Sequence, residues 1–164
     1  MKSASIVGLW LLAAGPGQAA AAPTHCAANE QTVFSCLTDH KVVSVCASGD
    51  PAQHGVSLSY RFGPLGRPEI SYPSSGQSRD VVRAGRWVFA GGGGAWLAFH
   101  RPPYRYVVYS AIGRGWHEKA GLAVEKDGRL LANRSCRGTP ISELGPDFFS
   151  SAGIADDATP FDLP

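Results

Sequence analysis

An all-β fold, a small antiparallel β-sandwich or barrel of about eight short strands, follows from three features of the sequence. From residue 32 to 136 apolar and polar residues alternate instead of recurring at helical spacing. Turn-forming residues punctuate that span. There is no internal repeat and no stretch patterned as a long helix.

The elements follow in chain order. "FSCLTDHKVVSVC", residues 34–46, reads as a hairpin turning at Asp39 and His40. Cys36 then lies opposite Val43 and shares a face with Phe34 and Val45, while Cys46 points to the other face. "GVSLSYRF", residues 55–62, is the cleanest strand: Val56, Leu58, Tyr60 and Phe62 share one face, and Ser57, Ser59 and Arg61 the other. "FGPLGRPEI" supplies turn residues ahead of a short extended piece, Glu69 to Tyr72, bounded by Pro68 and Pro73. Ser74 to Arg79 is polar and reads as a loop leading to "RWVFA", residues 86–90.

Gly91 to Gly94 read as a flexible connection, since glycine reaches backbone conformations that other residues avoid. A phosphate-binding loop would be followed by a helix N-terminus, whereas these glycines precede a strand pattern. "AWLAFH" and "YRYVVYS" then form a hairpin whose tip, Arg101–Pro102–Pro103, is stiffened by two residues that cannot donate ladder hydrogen bonds. "GLAVEKDGRLLANRSC" is a second hairpin, with Asp127–Gly128 suited to a two-residue type I′ turn. That turn pairs Val124 with Leu131 and Ala123 with Ala132, which is apolar on both sides and predicts a ribbon inside the sheet system.

Residues 137–164 are rich in Pro, Gly, Ser and Asp, with Phe148, Phe149, Ile154 and Phe161 as the anchors available. This tail is expected to be irregular or partly ordered, with a helical turn near Ser142 to Leu144.

Lys2 followed by the apolar stretch Ile6 to Ala14 and then small residues is the pattern of a secretory signal peptide, with the cut placed after Ala21 and Ala19 as the competing site. The apolar stretch is about half the roughly 20 residues needed to span a bilayer, so no transmembrane segment is expected. Residues 1–21 are therefore assigned to the signal, 22–136 to one β domain and 137–164 to an acidic tail. A domain of this size buries about two thirds of its unfolded surface. Pro23, Thr24 and His25 before Cys26 do not match a lipobox. The expected compartment is the periplasm, or the medium beyond it.

Cys26, Cys36, Cys46 and Cys136 form an even set without a CxxC pair, as expected of two disulfides in an oxidising compartment. Their ten-residue intervals argue against zinc, whose structural ligands usually lie two to four residues apart. Because Cys36 and Cys46 face opposite ways, each is expected to pair with Cys26 or Cys136.

The formal charge falls from +2 to +1 once Lys2 leaves with the signal, so nothing draws the chain to nucleic acid. Seven arginines lie between Arg61 and Arg105, whereas Glu143 to Pro164 holds five acidic residues and no basic one. A basic face could meet an anionic partner, with the acidic tail folded over it in the partner's absence.

Catalytic chemistry finds little support. The histidines at 25, 40, 54, 100 and 117 lie outside any nucleophile elbow or zinc-protease motif. His117 and Glu118, as strand neighbours, point to opposite faces. A hydrolase would need His117 or His100 beside a carboxylate in a cleft. No catalytic residue, metal ligand or cofactor site is assigned. The candidate partner-binding residues are Arg101, Tyr104, Arg105 and Tyr106, types enriched in binding hot spots, on a tip whose prolines lower the ordering cost. Cross-strand packing is the competing role for the tyrosines.

"FSC", "SVCAS", "YRFGPLGRPEI", "YRYVVYS" and "GLAVEKDGRLLANRSC", in this order over residues 33–136, resemble a group of small exported bacterial β proteins, most of them uncharacterised. In size, export, disulfides and β content the chain also resembles periplasmic lysozyme inhibitors and the immunity proteins that neutralise wall-degrading toxins. Inhibitors of that kind present a Ser-Gly loop to the enzyme's cleft, and Ser48–Gly49 and Ser75–Gly76 are the short matches here. The resemblance implies an exported, non-enzymatic binding protein, an inhibitor or immunity protein acting on a peptidoglycan-degrading enzyme. The alternative is a structural or housekeeping envelope protein that contacts anionic glycan or lipid headgroups.

Overall fold

The computed structural model describes residues 22–49, 56–74 and 78–164. The expected signal peptide, His54 and Ser75–Gly76 lie outside the described residues. Two five-stranded antiparallel sheets pack as a sandwich. The first contains β1 (Gln31–Thr38), β2 (Lys41–Ser48), β3 (Ser57–Gly63) and β4 (Ile70–Tyr72), with β10 (Arg137–Ser142) outside β1. A helical turn, α1 (Ser78–Val81), leads to the second, in which β5 (Val82–Phe89), β6 (Gly92–Arg101), β7 (Tyr104–Gly113), β8 (His117–Lys126) and β9 (Arg129–Ser135) pair in sequence order. A short helix, α2 (Pro146–Ser151), follows β10.

Alternation builds the core. Leu58, Tyr60 and Phe62 of β3 meet Leu97 and Phe99 of β6 and Tyr106 and Val108 of β7. Tyr60 is fully buried, with ring centroids 5.2 Å from Tyr106 and 5.7 Å from Phe99. Burying each such ring contributes roughly 1.5–3 kcal/mol, so this layer is the main tie between the sheets.

The β1–β2 hairpin has the expected register, with Cys36 opposite Val43. Cys46, on the outer face, bonds Cys26 of the N-terminal arm, and Cys36, on the core side, bonds Cys136 between β9 and β10. The second bond spans a sequence separation of 100. It stands at the corner where the chain leaves one sheet for the other, and Cys136 N–H donates there to the Ala120 carbonyl at 2.8 Å.

Four expectations need correction. Ten strands are present among the described residues instead of about eight, and β10 comes from the tail. Of the four glycines, only Gly91 (φ 88°) lies in the β5–β6 turn; Gly92 to Gly94 belong to β6. A Cβ on Gly94 would come within 2.4 Å of the Ala111 Cβ, so that glycine serves close strand approach. The type I′ geometry holds, with Asp127 at φ 50° and Gly128 at φ 74°, but a bulge between Val124 and Glu125, with Leu131 as the extra residue, pairs Val124 with Ala132 and Ala123 with Asn133. The shift leaves Leu131 unpaired, and β9 is an edge strand on which Leu130 and Leu131 are exposed, where an inner ribbon is expected.

The tail is the fourth correction. Irregular it largely is after Ser142, and its helix lies at Pro146–Ser151 instead of near Ser142 to Leu144, but it is anchored to the sandwich by buried residues. Phe149, Ala152 and Phe161 are buried. From Ala155 the chain crosses the outer face of the second sheet, bridging Ala84 in β5 through two backbone bonds. The N-terminal arm covers the first sheet's outer face in the same manner. Ser35 Oγ donates to the Pro23 carbonyl at 2.7 Å, and His25 N–H to Ser44 Oγ at 3.0 Å. Each sheet is thus closed on its outside by one of the terminal segments.

Candidate functional site

Two hairpin tips end together at one end of the second sheet. Tyr104 opens β7 directly opposite Lys126, the last residue of β8, so the β6–β7 turn at Pro102–Pro103 and the β8–β9 turn at Asp127–Gly128 are neighbours. The Asp127 backbone N–H donates to the Pro103 carbonyl at 3.0 Å and fastens them. Arg101, Pro102 and Pro103 are exposed. The Arg101 guanidinium lies 5.5 Å from the Tyr72 ring centroid, and Tyr72 in turn donates its hydroxyl to the His100 carbonyl at 3.0 Å. Tyr104 is half-buried, stacked on Tyr106 with centroids 6.2 Å apart and capped by the Lys126 ammonium at 5.7 Å. Beside it Leu130 and Leu131, 55% and 62% exposed, border an open concavity with Lys126 and Arg129.

Arg105 and Tyr106, expected on this tip, are taken into the fold. Tyr106 faces the core. Arg105 faces outward but is only 7% exposed, because the C-terminal segment covers it. Its guanidinium donates to Glu125 at 2.7 Å, to Asp157 at 2.9 Å and to the Thr159 carbonyl at 3.0 Å. The contact set predicted from sequence therefore narrows to Arg101 and Tyr104, joined by Lys126, Arg129, Leu130 and Leu131. The signal for the leucines was present as two adjacent apolar residues behind a DG turn, but without the bulge it reads as buried pairing.

The arginine-rich middle does not form one face. Arg61, on the first sheet, is clamped by both oxygens of Glu30 at 2.6 and 2.7 Å. That hydrogen bonding holds the Glu30 carboxyl below the usual carboxylate range. Arg105 is internal to the second sheet, whereas Arg67, Arg86 and Arg101 are exposed. At the β1–β2 turn Arg137, with Arg134 beside it, lowers the pKa of exposed Asp39. The tail does fold back onto a basic residue, where Asp157 pairs with Arg105.

His100 does stand beside a carboxylate: its Nε2 is 3.2 Å from Asp157 Oδ2. The same oxygen accepts from Arg105, and among the described residues no hydroxyl or thiol is bonded to the imidazole. The pair therefore fastens the tail. His117 and Glu118 are both exposed at the start of β8. Among the described residues no cluster of three or more His, Cys, Asp or Glu side chains could hold a metal ion. No protein-family model, curated protein or solved structure matches this chain.

Proposed function

We propose that the chain is an exported, non-enzymatic binding protein that docks its paired hairpin tips into an acidic cleft of a partner, with a peptidoglycan-degrading enzyme as that partner and inhibition or immunity as the result. The observation that carries this reading is the Asp127–Pro103 bond, which makes one unit of two tips bearing Arg101, Tyr104, Lys126, Arg129 and two exposed leucines. A tip held in advance loses little entropy on docking. Its cations match the paired carboxylates by which most glycoside hydrolases work, and they speed encounter with an acidic cleft. Apolar Leu130 and Leu131 supply the area that charge alone does not.

Export is supported by two disulfides, which persist in oxidising compartments, and the periplasm is the compartment proposed. No helix among the described residues is long and apolar enough to cross a membrane.

A second reading, attachment to anionic glycan or lipid headgroups, draws on the excess of Arg101, Lys126 and Arg129 over Asp127 at this end. Affinity capture from periplasmic extract with the tagged, disulfide-bonded protein separates the two. A wall-cleaving enzyme retained at both low and high salt, and lost with Leu130→Asp or Arg101→Ala, supports the first reading. Envelope material released by several hundred millimolar salt supports the second, because exposed charge attraction is screened over roughly 3–10 Å. Retention of neither rejects both.

A further inference from the structure

The outer face of an antiparallel sheet that borders water is ordinarily polar. Here the second sheet turns Trp87, Trp96, Ala98, Val107, Tyr109 and Ala123 outward, and these pack as a cluster of their own. Glycines on neighbouring strands let the rings lie down. A Cβ on Gly85 would sit 2.0 Å from the Trp96 ring, and one on Gly121 would sit 2.8 Å from the Tyr109 hydroxyl. The result is an aromatic trough, and residues 156–164 run along it.

The manner in which the trough holds this segment is that of a peptide site. Backbone pairing comes first: Asp157 N–H donates to the Ala84 carbonyl of β5 at 2.7 Å. Two anchors follow. The Asp157 carboxylate, 2% exposed, is gripped by Arg105 and His100, and four residues later the Phe161 ring sits among Trp87, Trp96 and Tyr109 with centroids 5.7–6.1 Å away. Between and beyond the anchors the grip is on main-chain carbonyls, which any sequence offers. Arg105 donates to Thr159, the Trp87 indole to Phe161 at 2.8 Å, and Lys119 to Pro164 at 2.8 Å.

The fit is incomplete. Among the described residues, the Trp96 indole N–H and the Arg105 Nε–H are buried without an acceptor, although these side chains are only 6% and 7% exposed. Trp96 also lines a cavity of about 350 Å³, bounded by Arg86, Asp156, Asp157 and Pro160, between sheet and segment. An unmade hydrogen bond to a buried donor costs the full desolvation of that donor. Residues 156–164 therefore fill the anchors and leave part of the trough's donor set unused.

We propose that this trough is the binding site for an extended segment of a partner protein carrying a carboxylate four residues before an aromatic ring, and that residues 156–164 occupy it as an internal stand-in that the partner segment displaces. The site is separate from the hairpin tips and stands or falls independently of them. Its mode is strand addition to β5 combined with two side-chain anchors, and the internal copy lowers the apparent affinity for the partner by the fraction of time it is seated.

The test uses the full chain and, as probe, a fluorescein-labelled peptide of sequence ADDATPFDLP. Phe161→Ala loosens the internal segment while leaving the trough intact. This variant is expected to bind the probe with micromolar affinity, and the unsubstituted protein at least tenfold more weakly. Replacing the probe's second Asp by Asn or its Phe by Ala is expected to cost the variant tenfold or more. Should Phe161→Ala fail to fold by circular dichroism, Asp157→Asn serves in its place. Amide exchange of the unsubstituted protein supplies a second readout, with the Asp157 amide expected to exchange at least a hundredfold faster than the amides of β7. A folded, loosened variant that ignores the probe at 1 mM, or binds it whatever its anchors, overturns the proposal. Protection of the Asp157 amide equal to that of β7 also overturns it, since the segment is then a fixed tie.

Discussion

Asp157 Oδ2 lies 2.9 Å from Arg105 Nη2 and 3.2 Å from His100 Nε2, and His100 and Arg105 are themselves register partners on β6 and β7. One carboxylate of the C-terminal segment thereby ties down two adjacent strands. Removing it leaves Arg105 with Glu125 and the Thr159 carbonyl, so the guanidinium is not wholly abandoned. Asp157→Ala is expected to cost about 2–4 kcal/mol in urea unfolding, toward the lower end of what breaking a buried pair costs. A loss under about 0.5 kcal/mol, the range of ordinary surface changes, would show that the pair does not hold the segment.

The β6–β7 hairpin supplies a contrast. Arg101 is exposed at the tip and Arg105, four residues on, is buried. Arg101→Ala and Leu130→Asp are expected to leave stability within about 0.5 kcal/mol, whereas Arg105→Ala strips Glu125 of its cation, leaves Asp157 with His100 alone and costs several times more. Equal losses at Arg101 and Arg105 would contradict the placement of the segment over Arg105.

Glu30 and Arg61 predict an acid-dependent term. Hydrogen bonding to Arg61 lowers the Glu30 pKa from its ordinary value of 4.5. The folded protein then binds this proton less readily than the unfolded chain, so the stabilisation is complete above that value and is lost as pH falls below it. Glu30→Gln is expected to be less stable than the parent at pH 7, with the gap closing from about pH 5 to about pH 3. Thermal unfolding across that range checks it, and a constant gap would be the contrary result.

The two disulfides are expected to differ in worth. By chain entropy alone, separations of 100 and 20 residues favour Cys36–Cys136 over Cys26–Cys46 by about 1.4 kcal/mol. Paired Cys→Ser variants, compared by denaturant unfolding under non-reducing conditions, measure the difference. A larger loss from the Cys26–Cys46 pair would mean that pinning the N-terminal arm matters more than closing the sheet corner.

Gly85 and Gly145 make a matched pair. Gly85→Ala drives a methyl into the Trp96 ring and is expected to cost about 1–3 kcal/mol with a change in tryptophan emission. Gly145, at φ 174° and with nothing within 4 Å of where a methyl would stand, is expected to accept Ala within about 0.5 kcal/mol. Tolerance at Gly85 would show that Trp96 is free to move.

Most of the strand framework was legible because hairpins are local. Alternation across Val56 to Phe62 gave the core face of β3, and the opposite facings of Cys36 and Cys46 disfavoured a bond between them, as the structure bears out. Turn chemistry at Asp127–Gly128 was equally plain. The bulge beyond it was not, because a single unpaired residue leaves no mark in the alternation, yet it took Leu131 out of its expected pairing with Val124.

The tip shows the same division at the level of function. Sequence alone determined that Arg101 to Tyr106 would form a stiff hairpin end with Tyr104 and Tyr106 on one face and Arg105 on the other, since backbone geometry fixes alternation within a few residues. Only the tertiary structure decided that Arg105 would leave the tip and be covered by the C-terminal segment. That outcome depends on Asp157, more than fifty residues away, and on an aromatic trough assembled from β5, β6, β7 and β8. Side-chain alternation is a local property of the chain. What covers each face is set by whichever distant segment buries the most apolar surface and pairs the most charge there.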